Sequence, residues 1–253
     1  MNHSRILSYL QTTLEKNSRP WPVPVRNWSI CFQMQDVLFC HWRVDPEAIA
    51  SRIPRGLTLD TWDRSAWVGL LVHQTCGVRH RLGPSVPGLR NFFEIDLRTY
   101  VTAGLKPGLF YFGMDVSSRI ASSVAQMFFH APFTVADIQG RMQMPDEFRE
   151  MDRMSDAGRT IRLRYRPAGT PFLPRKGTLE HWVAHRYCCY TRGVDARPRR
   201  FELDHPPLQF QPTEWSARPG NLGESLGLNL APTAALSYMV SNVPVHVWSP
   251  DPA

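Results

Sequence analysis

Residues 91–101, "NFFEIDLRTYV", place Glu94, Asp96, Arg98 and Tyr100 at every second position, with Phe93, Ile95, Leu97, Thr99 and Val101 between them. Alternation with a period of two is the pattern of a β-strand, whose successive side chains point to opposite faces. The four polar groups therefore share one face, successive members about 7 Å apart, and the apolar row must join a core. The next segment, "GLFYFGMDV" (108–116), follows after the turn "AGLKPG" and is close enough to form an antiparallel hairpin. It offers aromatics and Met114 rather than polar partners. The polar row is thus expected to lie inside a concave sheet walled by apolar neighbours, the composition of a ligand pocket. A buried ion-pair network or a plain edge strand would carry the same row.

Working outward, "DVLFCHWRV" (36–44) reads as a buried strand, and Asp45, Pro46 and Pro54 mark the cap, first residue and stop of a short helix. "SAWVGLLVHQTCGVRH" (65–80) is a long strand, apolar on both faces, and "LTLDTW" a short one. A helix is expected over 117–130, capped by Ser117 or Ser118, and another over 177–190 with Leu179, Trp182, Val183 and Tyr190 as its stripe. "FTVADIQGRMQM" and "RTIRLRYRP" read as an antiparallel pair across a polar loop at 145–158, and the remainder as proline-rich strands. Ile6, Leu7, Leu10 and Leu14 predict an amphipathic helix over 5–16, followed by a proline-rich connector. Residues 1–27 thus precede a single domain over 28–253, an α+β, β-rich and barrel-like fold with a few helices.

The chain has 253 residues, 43% hydrophobic, enough for a sizeable core. Its net charge of +7 comes from 26 arginines against three lysines. Arg162, Arg164 and Arg166 alternate with Leu163 and Tyr165, the wet face of a strand, and no nucleic-acid-binding signature accompanies them. No window approaches a membrane span. Five cysteines without a CxxC pair fit a reducing cytoplasm. The expected partner is a small molecule, with neither nucleic acid nor membrane, and a homo-oligomer is left open.

Two motif matches fail on context. "GESLG" (223–227) has the spacing of a nucleophile elbow, but no apolar strand precedes it, so Ser225 reads as a loop residue. "HWVAH" sets His181 and His185 one turn apart, with Cys188 or Cys189 a further turn on, but Trp182 stands where a zincin carries its glutamate. No phosphate-binding or dinucleotide fingerprint occurs, so neither metal nor organic cofactor is expected. His41, beside Trp42 in an apolar strand, reads either as a core histidine or as a base; His73 and His130 have weaker claims.

Several stretches in order, "VLFCHWRVDP" (37–46), "IPRGLTLDTW" (53–62), "AWVGL" (66–70), "FFEIDLRTYV" (92–101), "KPGLFYFGMD" (106–115), "GTLEHWVAHRYCCY" (177–190) and "DHPPLQF" (204–210), resemble the YqjF-like family of uncharacterised bacterial proteins. The resemblance spans about residues 28 to 248. It implies the fold of the acetoacetate-decarboxylase-like superfamily, a β-rich antiparallel cone or double barrel around a central cavity. That superfamily's decarboxylase uses a lysine imine, which needs a desolvated amine. Here Lys16 ends a helix, Lys106 sits in a turn and Lys176 precedes a helix, so none is placed in a strand facing a cavity. Asp96, His185 and Leu208 stand where the family pattern has Asn, Glu and Trp.

The resemblance carries over only Glu94, as a proton carrier, and Arg98, as the anchor of a carboxylate or enolate oxygen; His41, Asp96 and Tyr100 are added from their positions in the sequence as supporting binding candidates. The expectation is an enzyme acting on an oxo- or carboxylate compound by acid–base chemistry; the alternative is a protein that binds a small apolar acid without transforming it.

Overall fold

The computed structural model describes residues 19–84, 88–129, 131–141, 148–154, 160–192, 197–218, 226–231 and 233–252. The helix expected over 5–16, Ser225 and His130 lie outside them. Fourteen strands are described: β1 (Ile30–Val44), β2 (Thr58–Leu59), β3 (Ala66–His80), β4 (Asn91–Ala103), β5 (Lys106–Val116), β6 (Phe133–Val135), β7 (Asp137–Arg141), β8 (Arg149–Met154), β9 (Thr160–Pro167), β10 (Cys188–Arg192), β11 (Pro198–Asp204), β12 (Gln211–Arg218), β13 (Leu236–Val247) and β14 (Asp251–Pro252). Three helices accompany them: α1 (Pro46–Ala50), α2 (Arg119–Phe129) and α3 (Leu179–Ala184).

Seven strands close on themselves in the order β13-β1-β3-β4-β5-β10-β11, because β13 pairs with β1 along its whole length and with β11 at Leu203↔Val247. Closure leaves no open edge in this ring. The path then continues from β13 through β12, β9, β8 and β7, which cover the outside of β1, β3 and β4. Strand β4 separates two cores. Ile95 and Leu97 pack outward against Met151, Leu163 and Tyr165 of the covering sheet, while Tyr100 packs inward with Phe39, Leu71 and Phe201. Both rows of the opening stretch are thereby buried.

The hairpin of β4 and β5 forms as read from the sequence. The joint between the two cores is Asp36, which adopts φ 51° where the register of β1 against β3 shifts. Its carboxylate takes Arg149 Nε at 2.6 Å and its carbonyl accepts from the Tyr165 hydroxyl at 2.9 Å, tying the bulge to the covering sheet.

Three expectations are corrected. The loop at 145–158 contains strand β8, which stands between β7 and β9; Arg149 and Met151 are buried from alternate positions of "REMDRM". The helix over 177–190 stops at Ala184. Cys188–Arg192 instead forms a barrel strand, burying Cys188, Tyr190 and Thr191. This strand pairs parallel to β5, as does β6, so the sheet is not wholly antiparallel. Tertiary pairing overrides the helical spacing of a segment this short. The arginines of β9 lie on an outer face and are matched: Arg162 with Asp152, Arg164 with Glu150 and Arg166 with Glu214.

Candidate functional site

The barrel encloses a cavity of about 210 Å³ to which all seven ring strands and α2 contribute. Its wall is mostly apolar, including Met34, Phe92, Ala125, Phe129 and Val243. Glu94, Asp96 and Arg98 reach it from β4, side by side as their alternation requires.

Strand register supplies the partners of the two carboxylates. His73 of β3 stands opposite Glu94, and Thr75 is two residues on, on the same face. The Thr75 hydroxyl donates to Glu94 Oε1 at 2.6 Å and lies 3.3 Å from His73 Nδ1. His73 Nε2 faces Asp96 Oδ2 at 3.4 Å and Glu94 Oε2 at 3.8 Å. Thr75 has one proton and gives it to Glu94, so it accepts from Nδ1–H, while Nε2 faces carboxylates. The geometry therefore suits a doubly protonated ring. Burial opposes that charge, but Glu94 and Asp96 outweigh it and raise the His73 pKa. Burial, reinforced by Asp96, likewise raises Glu94 to about 7 against the opposing pull of His73 and Thr75. Glu94 is thus poised to exchange a proton near neutrality. The donor atoms of His73, Glu94 and Asp96 lie within 4.8 Å of one another, making these the residues that could hold a metal ion.

Arg98 is 5% exposed and forms no ion pair among the described residues, and its Nε has no hydrogen-bond partner. Its guanidinium lies 4.9 Å over the Phe39 ring, and its charge acts on the neighbouring hydroxyls of Tyr100 and Tyr111. Phe39 shares a row with Asp96 through Leu71, so the arginine head leans toward the acid end of the strand. Burial raises the pKa of both tyrosines, so they are neutral and leave the charge of Arg98 uncompensated. Oδ1 of Asp96 is buried without a partner as well. Buried arginine is ordinarily paired, and a cation in an apolar hollow offers charge complementary to an anion.

His41 and Tyr100 do not line the cavity. They stand behind Arg98, fully buried, with His41 Nε2 and the Tyr100 hydroxyl 2.5 Å apart. Burial, then Arg98, hold His41 well below the ordinary imidazole value and hence neutral. With His41 neutral, the Tyr100 hydroxyl can donate to Nε2, which leaves the buried Nδ1 without a partner. Gly69 allows it, because a β-carbon there would sit 2.6 Å from His41 Nε2. These two residues stand behind the arginine and do not line the cavity.

The sequence reading gave His73 only a weak claim and did not identify Thr75 or Tyr111. The alternation of Leu71, His73 and Thr75 was available, but only the register of β3 on β4 sets His73 against Glu94. Arg186 also reaches the cavity, yet it is committed to Asp60 and lies over the Tyr100 and Trp182 rings. His181 and His185 stack 4.5 Å apart on a helix that ends before Cys188, so the helical three-ligand face does not form. Lys106 binds Glu202 at 2.6 Å, Lys176 is exposed, and no described lysine lines the cavity. Lys16 lies outside the described residues.

Comparison with known proteins agrees with this architecture. The profile of a family of uncharacterized conserved proteins, DUF2071, matches residues 32–249. The uncharacterized protein YqjF of Bacillus subtilis (strain 168) is 31% identical over 226 residues, 89% of this chain and 93% of that protein. Among solved structures, the acetoacetate decarboxylase of Legionella pneumophila superposes with a TM-score of 0.64 at 10% identity, covering 94% of each chain. The enduracididine biosynthesis enzyme MppR complexed with pyruvate gives 0.62 at 15% identity, over 90% of this chain and 91% of that one. At these identities the structural likeness establishes the acetoacetate-decarboxylase-like fold.

Proposed function

We propose that this chain, which belongs to the DUF2071 family, is an enzyme that moves a proton on an oxo- or carboxylate compound held in its barrel cavity. One observation carries the reading: a buried guanidinium with no ion pair among the described residues faces the same hollow as a glutamate that burial raises to about 7. The names of two proteins with this fold point to related compounds, acetoacetate for one and pyruvate for the other.

The carboxylate of the substrate docks on Arg98, steered by Tyr111 and by the His41–Tyr100 support behind it. Deprotonated Glu94 takes a proton from the carbon next to the carbonyl, leaving an enolate whose charge Arg98 and Tyr111 stabilise. Glu94 then returns the proton to carbon or oxygen. His73 and Asp96 keep its pKa in the useful range by their opposing charges. An imine route has no support in the cavity lining, where no described lysine appears.

Proton–deuteron exchange of 2-oxo acids in D2O, followed by NMR, tests the reading. The wild type should catalyse exchange at C3, and Glu94→Gln should lose it while retaining affinity. Exchange retained by Glu94→Gln removes this residue from the mechanism; binding without exchange by the wild type favours a protein that only holds the acid.

A further inference from the structure

The lining of the cavity also limits the kind of acid it accepts. Most polar groups that reach it are already engaged. Arg186 is paired with Asp60, the Thr191 hydroxyl bonds the Phe129 carbonyl, His205 faces two backbone carbonyls, and the Thr75 hydroxyl is given to Glu94. Unspent capacity is concentrated at Arg98 and Asp96 Oδ1, beside Glu94, all on β4. Away from that strand the wall is built of groups such as Met34, Phe92, Ala125, Phe129 and Val243.

A volume of about 210 Å³ holds on the order of ten non-hydrogen atoms at the volume of water-sized groups. Pyruvate would fill the polar end and leave the apolar remainder empty. An empty apolar space forfeits contacts that a hydrocarbon would make, and it has too few polar partners to hold ordered water well.

We infer that the ligand is an amphipathic oxo acid: a carboxylate and carbonyl at the β4 end, continued by an unbranched or aryl hydrocarbon tail of several carbons lying against α2 and β13. This inference rests on the proposed anion site at Arg98 and adds the tail.

The test is calorimetric titration of the full chain with the straight-chain series from pyruvate to 2-oxodecanoate. Affinity should rise about fourfold per methylene, the equivalent of ~0.8 kcal/mol, reach about a thousandfold over pyruvate near 2-oxooctanoate, and then level off. Ala125→Leu, which adds three carbons to the α2 wall, should move the optimum to acids shorter by about two or three carbons. Arg98→Met should weaken every member by a similar factor and leave the slope with chain length intact. Affinity that is flat or falls with length, with Arg98→Met still weakening binding, overturns the tail and keeps the anion site. Equal binding by Arg98→Met, or binding of none of the series by the wild type, overturns both.

Discussion

Replacing Arg98 with methionine should stabilise the ligand-free protein while weakening its affinity for carboxylates. Desolvating a charge in a protein interior costs several kcal/mol even after relaxation. The Phe39 face, 4.9 Å away, returns about 2 kcal/mol, and the dipoles of the two neighbouring tyrosine hydroxyls add about 1 to 2 kcal/mol together. These terms nearly cancel, so the guanidinium contributes little to the empty fold. Methionine has similar reach and no charge, and its burial contributes about 2 kcal/mol. The variant should therefore gain about 2 kcal/mol, a rise of roughly 4–8 °C in Tm for a chain of this size. Adding an apolar oxo acid at a hundred times its wild-type Kd should stabilise the wild type by about 2.7 kcal/mol and shift the variant less at the same concentration. Differential scanning calorimetry with and without the acid reads both effects. A variant that loses about 2 kcal/mol or more without ligand would make Arg98 a structural clamp, and an equal ligand shift in both proteins would remove it from the site.

The other perturbations follow from the partners of each group. The folded pKa of Glu94 is raised from 4.5 to about 7, so its contribution to stability is present below its ordinary value and lost as pH rises through the folded one. Relative to Glu94→Gln, the wild type should lose up to about 3 kcal/mol between pH 5 and pH 9 in denaturant titrations. Its kcat/KM should rise with pH through about 7, as befits a base. Gly69→Ala forces a carbon to within 2.6 Å of His41 Nε2; a cost of about 1–3 kcal/mol is expected, with weaker carboxylate binding as Tyr100 loses its support. Glu202, 2% exposed, accepts from Arg19, Trp21, Lys106 and Arg200 and so fastens the connector to the barrel. Glu202→Ala should cost about 3–5 kcal/mol, read in denaturant titrations. Burial works against the Glu202 charge, but these donors win and lower its pKa. The stability it adds is therefore present above its ordinary value and lost as pH falls through the lowered one, and the wild type should approach Glu202→Gln in acid.

The row of Glu94, Asp96 and Arg98 was legible because strand alternation is a local property, and so was the hairpin with β5, set by a short turn. Family resemblance added the barrel, whose closure between β11 and β13 joins segments some forty residues apart and leaves no local mark. The roles of His41 and Tyr100 could not be read, since only the three-dimensional register puts them behind Arg98 with Gly69 between. His73 was hidden for a related reason: its partner lies on another strand. The failure at 177–190 has a different origin. "HWVAHRYCCY" satisfies helical spacing over its first half, and nothing local says that Cys188 and Tyr190 will be claimed by β5.

No helix among the described residues is long and apolar enough to cross a membrane, and the arginines of β9 are neutralised by acids on neighbouring strands.

The most direct measurement is a crystal structure of the protein with 2-oxooctanoate bound. The expected density has the carboxylate within hydrogen-bond distance of the Arg98 guanidinium, C3 facing Glu94 and the tail running toward Ala125. An acid bound elsewhere, or a barrel interior that stays empty at saturating ligand, would contradict the account.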